Sequence, residues 1–294
     1  MSNRIKVLKT YKIFIDGKFP RTESGRYVKL VKNNIPIANV CLSSRKDLKN
    51  SVASARKIFD SWVSKSAYNR AQIMYRIAEM LESRKEQFIE ELILQGYNKE
   101  KSIVELDKSI DRIIYFAGWS DKINQVFGSV NPVASSHYNF TVLEPTGVVG
   151  LISSEESPLL GLISLIIPAI VTGNTTVIIA SEKFPLTSIS LAELISNSDV
   201  PGGVVNILTG SKSELIPHLA KHMDVNSIGF SEEKKDLRDQ IYLDAVNNLK
   251  RLVEIPKSKI ESEEIESPYI IKKFMEAKTT WHPIEKDFAS SNSY

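Results

Sequence analysis

The chain has 294 residues, of which 42% are hydrophobic, and carries 38 Lys and Arg against 35 Asp and Glu. That length and apolar share support one large globular domain, or one domain with an appendage, and exclude a disordered chain. Nearly balanced charge, with the basic residues not gathered into one long run, gives no electrostatic footing for a nucleic-acid partner.

The opening MSNRIKVLKTYKIFI has several lysines but no apolar stretch followed by a small-residue cleavage site, so it does not read as a secretory signal. KIFIDGKFPRTESGRYVKLV alternates apolar and polar residues around Asp16-Gly17 and predicts an edge hairpin. From Arg45 to Gly96 apolar residues recur at three and four, through Val52, Ile58, Phe59 and Trp62, then Ile73, Ile77, Met80, Leu81, Phe88, Ile89 and Leu92. This predicts two long helices broken near Ser66. Lys101 to Val126 predicts a third, through Ile110, Ile113, Ile114, Phe116 and Trp119.

After Ser129 short apolar runs are separated by Gly, Pro and Asn. Strands are predicted at Val148–Ile152, Thr176–Ala180, Val204–Leu208, Ser227–Phe230 and Leu249–Ile255, and helices at Pro158–Val171, Leu186–Asn197, Lys212–His222 and Glu232–Asn247. The run Pro158–Val171 contains Pro168 and falls short of the roughly 20 apolar residues a membrane span needs, so it predicts a buried helix. Strands alternating with helices over such short connections predict an α/β fold with a doubly wound, mostly parallel sheet. Beyond Pro256, KSKIESEEIES is polar and predicts a linker over 257–267. SPYIIKKFMEAKTTWHPIE then regains alternation and predicts a terminal strand within 268–294 that docks elsewhere, a neighbouring subunit being one place for it.

From Glu144 to Gly210 the chain carries Glu144-Pro145-Thr146-Gly147-Val148-Val149-Gly150, Gly173-Asn174-Thr175, Ser181-Glu182, Pro201-Gly202-Gly203-Val204-Val205-Asn206 and Thr209-Gly210. These ordered anchors closely resemble the aldehyde dehydrogenase superfamily, and the likeness runs from about Tyr11 to about Glu254 and returns in the tail. The resemblance implies a Rossmann-like cofactor domain over 1–256, here with N-terminal helices and a C-terminal assembly strand but without the family's catalytic domain. It implies NAD(P) as the cofactor and Ser181, Glu182 and Gly210 as the positions that would hold it.

Departures concentrate where the chemistry would be. The family's Pro-Trp-Asn, whose Asn steadies an oxyanion, corresponds to Ser154, Glu155 and Glu156 here, and an ionised Glu accepts hydrogen bonds without donating any. Its ribose-contacting Lys corresponds to Ile179. Its Phe-Thr-Gly-Ser phosphate turn corresponds to Phe230, Ser231, Glu232 and Glu233, which places two carboxylates facing the position of a pyrophosphate, at a helix start that would otherwise favour an anion. The general base falls on Ile255 with Glu254 one residue early, on the opposite face of a strand. The only cysteine, Cys41, lies far upstream and reads as a small buried hydrophobe. No catalytic residue is therefore assigned, and no tight binding of a cofactor is expected.

Other groups weigh less. His218 and His222 share a helix face at a zinc-compatible spacing but lack a third ligand, so no metal is assigned. Ser43-Ser44-Arg45-Lys46 has an SxxK spacing, yet Ser fits a helix cap better. Glu155 and Glu156 could pair for acid–base work, against the blander reading of a solvated loop. Glu182 either touches a ribose or caps the segment before Pro185. The architecture most resembles short relatives without the catalytic Cys, found beside a full-length partner, and the second half of the double-length family-sixteen enzymes. That implies a non-catalytic subunit that assembles with a full-length aldehyde dehydrogenase or with itself through the tail, and the single Cys fits a reducing, cytoplasmic setting. A residual nucleotide-binding module and an active NAD(P)-dependent oxidoreductase are the alternatives.

Overall fold

The computed structural model describes residues 7–232 and 234–284. Alternation near the start produces three strands, β1 (Thr10–Tyr11), β2 (Tyr27–Lys32) and β3 (Ile35–Cys41), in a sheet of order β1-β3-β2. The long hairpin joins β2 to β3 and turns at Asn33 and Asn34, both left-handed (φ 49° and 61°), a conformation Asn tolerates better than most residues. The predicted turn at Asp16-Gly17 closes only an isolated bridge between Ile15 and Lys18. Phe14 instead exchanges two backbone hydrogen bonds with Ile207, at 2.9 and 2.8 Å.

Helices α1 (Arg45–Val63), α2 (Ala67–Ser83), α3 (Lys85–Gln95), α4 (Lys99–Ala117) and α5 (Ile123–Phe127) follow. Ser44 caps α1 in a reciprocal capping box with Asp47, and Ser66 caps α2 where the break was predicted. A second break at Arg84 was not predicted, because the apolar spacing runs through it: Leu81 and Phe88, on either side, are both fully buried. Two more strands, β4 (Ser129–Asn131) and β5 (His137–Pro145), precede the parallel sheet.

That sheet is built from β6 (Val148–Ile152), β7 (Thr175–Ile179), β8 (Val205–Leu208), β9 (Ser227–Phe230) and β10 (Arg251–Glu254), joined by α6 (Leu160–Val171), α7 (Pro185–Ile195), α8 (Lys212–Lys221) and α9 (Lys235–Ala245). All pairings are parallel, in the order β10-β9-β6-β7-β8. Every residue of β6 to β9 is buried, as expected of strands covered on both faces. α6 and α7, backed by α2 and α4, cover one face; α1, α8 and α9 cover the other. The order reverses at β6, so the crevice beyond the carboxyl ends of these strands is where such folds bind ligands.

The stretch expected to be a polar linker is instead packed. α10 (Lys257–Ile260), a 3-10 turn at Glu263–Ile265 and α11 (Pro268–Lys272) bury Ile260, Ile265 and Ile271, followed by Phe274. The spacing of these four among Lys, Glu and Ser hid them in the sequence. Arg112 of α4, 1% exposed, anchors the segment by donating to the carbonyl of Ile260 at 2.6 Å and to Ser164 Oγ at 2.7 Å. The terminal strand β11 (Met275–Pro283) pairs antiparallel with β5 of its own chain, from Met275 opposite Pro145 to Pro283 opposite His137. The tail thus docks in cis, in a sheet of order β11-β5-β4; its last predicted residues, 285–294, lie outside the described residues. Among the described residues no helix is long and apolar enough to cross a membrane.

Candidate functional site

The crevice at β6 is crossed by a buried ion cluster. The Glu155 carboxylate accepts from Ser181 Oγ at 2.7 Å and from the backbone N–H groups of Glu182 and Lys183, both at 3.0 Å. Lys212 Nζ lies 2.6 Å from the same carboxylate, 3.1 Å from Glu232 Oε2 and 2.5 Å from the carbonyl oxygen of Ser153. The side chains of Lys212 and Glu232 are each 2% exposed and that of Glu155 is 12% exposed. Burial alone would raise the Glu155 carboxyl, but Lys212 and the Lys183 and Glu182 amides outweigh it and hold the group below the usual carboxylate range.

Three sequence expectations change here. Glu155 is not in a solvated loop, because the turn after β7 offers it two free amides and Lys212 offers it a charge. Glu156 lines the same crevice but is half-exposed and forms an ion pair with Lys257 of α10, where Glu155 pairs with Lys212. Glu232 does not face outward toward a phosphate but turns inward onto Lys212 and accepts the Lys234 N–H at 3.0 Å. Glu233 lies outside the described residues.

The sites predicted for a cofactor do come together: Ser181, Glu182 and Gly210 line one pocket of about 230 Å³ with Val28, Leu30 and Val40. Each also has an internal partner. Ser181 Oγ accepts the Phe184 N–H at 3.0 Å while donating to Glu155. The Glu182 carboxylate accepts the backbone N–H of Lys212 at the first residue of α8. Gly210 has φ +150°, and a Cβ there would stand 3.1 Å from the Ser43 nitrogen, so close packing on β3's end explains the glycine.

Ile179 is buried at the end of β7. Ile255 is buried too, and Glu254, on the other face, accepts from Tyr242 Oη at 2.7 Å. Cys41 is 3% exposed and packs in the core with Leu48, Val52 and Leu208. Among the described residues no three His, Cys, Asp or Glu side chains gather around a point where a metal could sit. Lys212 is the residue sequence reasoning missed. Its signal was a cation at the first residue of a helix, where the amide end of the dipole disfavours positive charge.

The pattern of the aldehyde dehydrogenase family matches residues 24–254. The chain belongs to the aldehyde dehydrogenase family. It is 32% identical to human cytosolic 10-formyltetrahydrofolate dehydrogenase over 85% of its own length and 28% of that protein's. It is 30% identical to an aldehyde dehydrogenase of Aspergillus niger over 85% of its own length and 50% of the relative's. Among solved structures it resembles PnpE in complex with nicotinamide adenine dinucleotide, with a TM-score of 0.79 and 29% identity over 83% of this chain and 50% of that one. It also resembles the NAD+ complex of the aldehyde dehydrogenase from Bacillus cereus, with a TM-score of 0.79 and 25% identity over 84% and 51% of the two chains. This family member therefore spans about half the length of such relatives, or less.

The shared anchors are held by packing within the chain. Asn174, fully buried, accepts the Gly147 N–H at 2.8 Å and donates to the Phe274 carbonyl at 2.8 Å. Asn206, also fully buried, donates to the carbonyls of Gly203 at 2.7 Å and Thr176 at 3.1 Å. Gly147 has φ +128°, and a Cβ there would fall 2.3 Å from Asn226 Oδ1. The family likeness is thus accounted for at these positions by fold-building contacts.

Proposed function

We propose that this chain is a non-catalytic member of the aldehyde dehydrogenase family that acts, in the cytoplasm, by assembling with a full-length aldehyde dehydrogenase. The observation that carries the non-catalytic reading is the seating of Glu155 on the amides of Glu182 and Lys183, with Lys212 neutralised between two carboxylates. The buried cation and the backbone amides in the crevice at β6, where an anionic cofactor would be met, are already spent on the protein's own carboxylates, and this disfavours a dinucleotide there. The pocket formed by Ser181, Glu182 and Gly210 measures about 230 Å³, whereas the adjoining crevice lined by Glu155, Glu156 and Lys183 measures about 790 Å³, within the range of about 300–1,000 Å³ usual for small-molecule sites, so chemistry rather than volume carries the reading. Calorimetric titration with NAD and NADP should give no heat at millimolar cofactor; saturable heat would restore the nucleotide-binding or oxidoreductase reading.

Assembly is supported by the β11-β5-β4 sheet. β11 is an edge strand, exposed at every residue after Met275, and Val130, Tyr138 and Trp281 are exposed large hydrophobics on the same sheet. An exposed edge with apolar side chains is a template for pairing with another chain. The chain should co-purify with a full-length aldehyde dehydrogenase from the same cell, and Trp281→Asp should abolish association at an unchanged melting temperature. A monomer that captures no such enzyme would remove this reading.

A further inference from the structure

On the face covered by α1 and α8, a groove of about 500 Å³ is lined by Arg45, Leu48, Lys49, His218, Lys221 and His222, with no carboxylate on its wall. None of these residues lines the crevice at β6. Fold-building explains only some of its charge. His218 and Lys221 stand in the last turn of α8, where carbonyl groups favour cations, and Lys221 lies 3.3 Å from Asp244. Arg45 and Lys49 sit in the opening turns of α1, the end that disfavours cations, and among the described residues neither makes an ion pair.

Of the surrounding charges, Asp224 and Asp244 offset part of the field at His222 and Lys221, and others leave it standing. Glu214, on the same helix, is taken by Arg26 at 2.8 Å. Lys250 covers the end of α8 from behind, donating from Nζ to the carbonyls of His222 at 2.6 Å and Val225 at 2.7 Å. The Asp224 N–H donates to His222 Nδ1 at 3.2 Å, so the neutral ring carries its proton on Nε2 and keeps a donor.

We propose that this groove binds a small polyanion of the pyrophosphate class, gripped by Arg45 and Lys49 from α1, by His218 from α8 and by His222 at the C-terminal cap of α8. Each pair is spaced i, i+4, which sets the two side chains about 5–6 Å apart at their Cβ atoms. Two linked phosphoryl groups span such pairs, whereas one phosphate meets half of them. Guanidinium and ammonium groups are the usual partners of phosphate oxygens, and the volume lies within the range of small-molecule sites, about 300–1,000 Å³.

Calorimetric titration of the whole chain at low ionic strength, with pyrophosphate, inorganic phosphate, citrate and a short single-stranded DNA in parallel, tests this. Pyrophosphate should bind about tenfold more tightly than phosphate or citrate, and Lys49→Glu and His218→Glu should each weaken it by about tenfold or more at an unchanged melting temperature. Lys29→Glu, an exposed reversal on β2 away from the groove, should leave binding unchanged. The proposal is overturned by an absence of heat with pyrophosphate, by an equal loss in Lys29→Glu, which would mark a net-charge effect, or by tighter binding of the DNA.

Discussion

Lys212→Met is expected to destabilise the protein by about 3–5 kcal/mol, the range for removing one partner of a buried ion pair. The substitution keeps the stem's volume but strands two carboxylates, Glu155 and Glu232, that are 12% and 2% exposed. Glu155 would keep its backbone amides from Glu182 and Lys183, and Glu232 would keep the Lys234 N–H, but both would lose the cation that balances their charge. The sign with pH follows from the depressed folded-state pKa of Glu155. A group whose pKa is lowered by folding stabilises fully above its unfolded value and loses that contribution as pH falls through the folded one. The gap between wild type and Lys212→Met, measured by urea unfolding, should thus be widest near neutrality and narrow below the ordinary carboxylate range. The triple variant Glu155→Gln, Lys212→Met, Glu232→Gln should recover most of the loss, because a neutral buried set has no charge to desolvate. A loss under 1 kcal/mol at neutral pH would mean that water reaches the cluster and that the crevice is open.

How far the sequence reaches can be judged at particular residues. All five parallel strands and their helices are legible, because Val, Ile and Leu in short runs between Gly and Pro leave no amphipathic alternative. The family anchors locate the crevice, and the pattern match over 24–254 agrees with them. What the sequence does not reveal is side-chain direction in loops. Glu155, Glu232 and Lys212 are separated by 57 and 20 positions along the chain, and only the fold brings them within 2.6 and 3.1 Å. Charge written in a loop reads as solvated until a buried partner is known. The stretch 257–267 fails for a related reason: Ile260 and Ile265 are too few to mark a periodicity, yet both are buried in the main apolar core. β11 fails differently. Its alternation identifies a strand, but nothing in a strand's own sequence says which edge it will choose, and β5 of the same chain was available.

The other large effect is expected at Asn174, a residue of the Gly-Asn-Thr anchor with no exposed surface. Its amide makes four bonds. Oδ1 accepts the Gly147 N–H at 2.8 Å and Thr146 Oγ1 at 3.1 Å, and Nδ2 donates to Thr172 Oγ1 at 2.8 Å and the Phe274 carbonyl at 2.8 Å. One side chain thereby ties the turn between β5 and β6, the entry to β7, and the residue just before β11. Asn174→Ala leaves the Gly147 N–H, the Thr146 hydroxyl and the Phe274 carbonyl without this buried partner, so about 2–4 kcal/mol should be lost. Its distribution matters more than its size. The link between the three-stranded sheet and the parallel sheet is cut, so amide hydrogen exchange should accelerate first in β11 and β5 while β6 to β9 keep their protection. Asn174→Asp keeps the acceptor but removes both donors and buries a charge, and it should be at least as damaging. Uniform acceleration across both sheets, or a loss under 1 kcal/mol, would show that Asn174 is not the tie, and that the tail is held by the pairing of β11 with β5 alone.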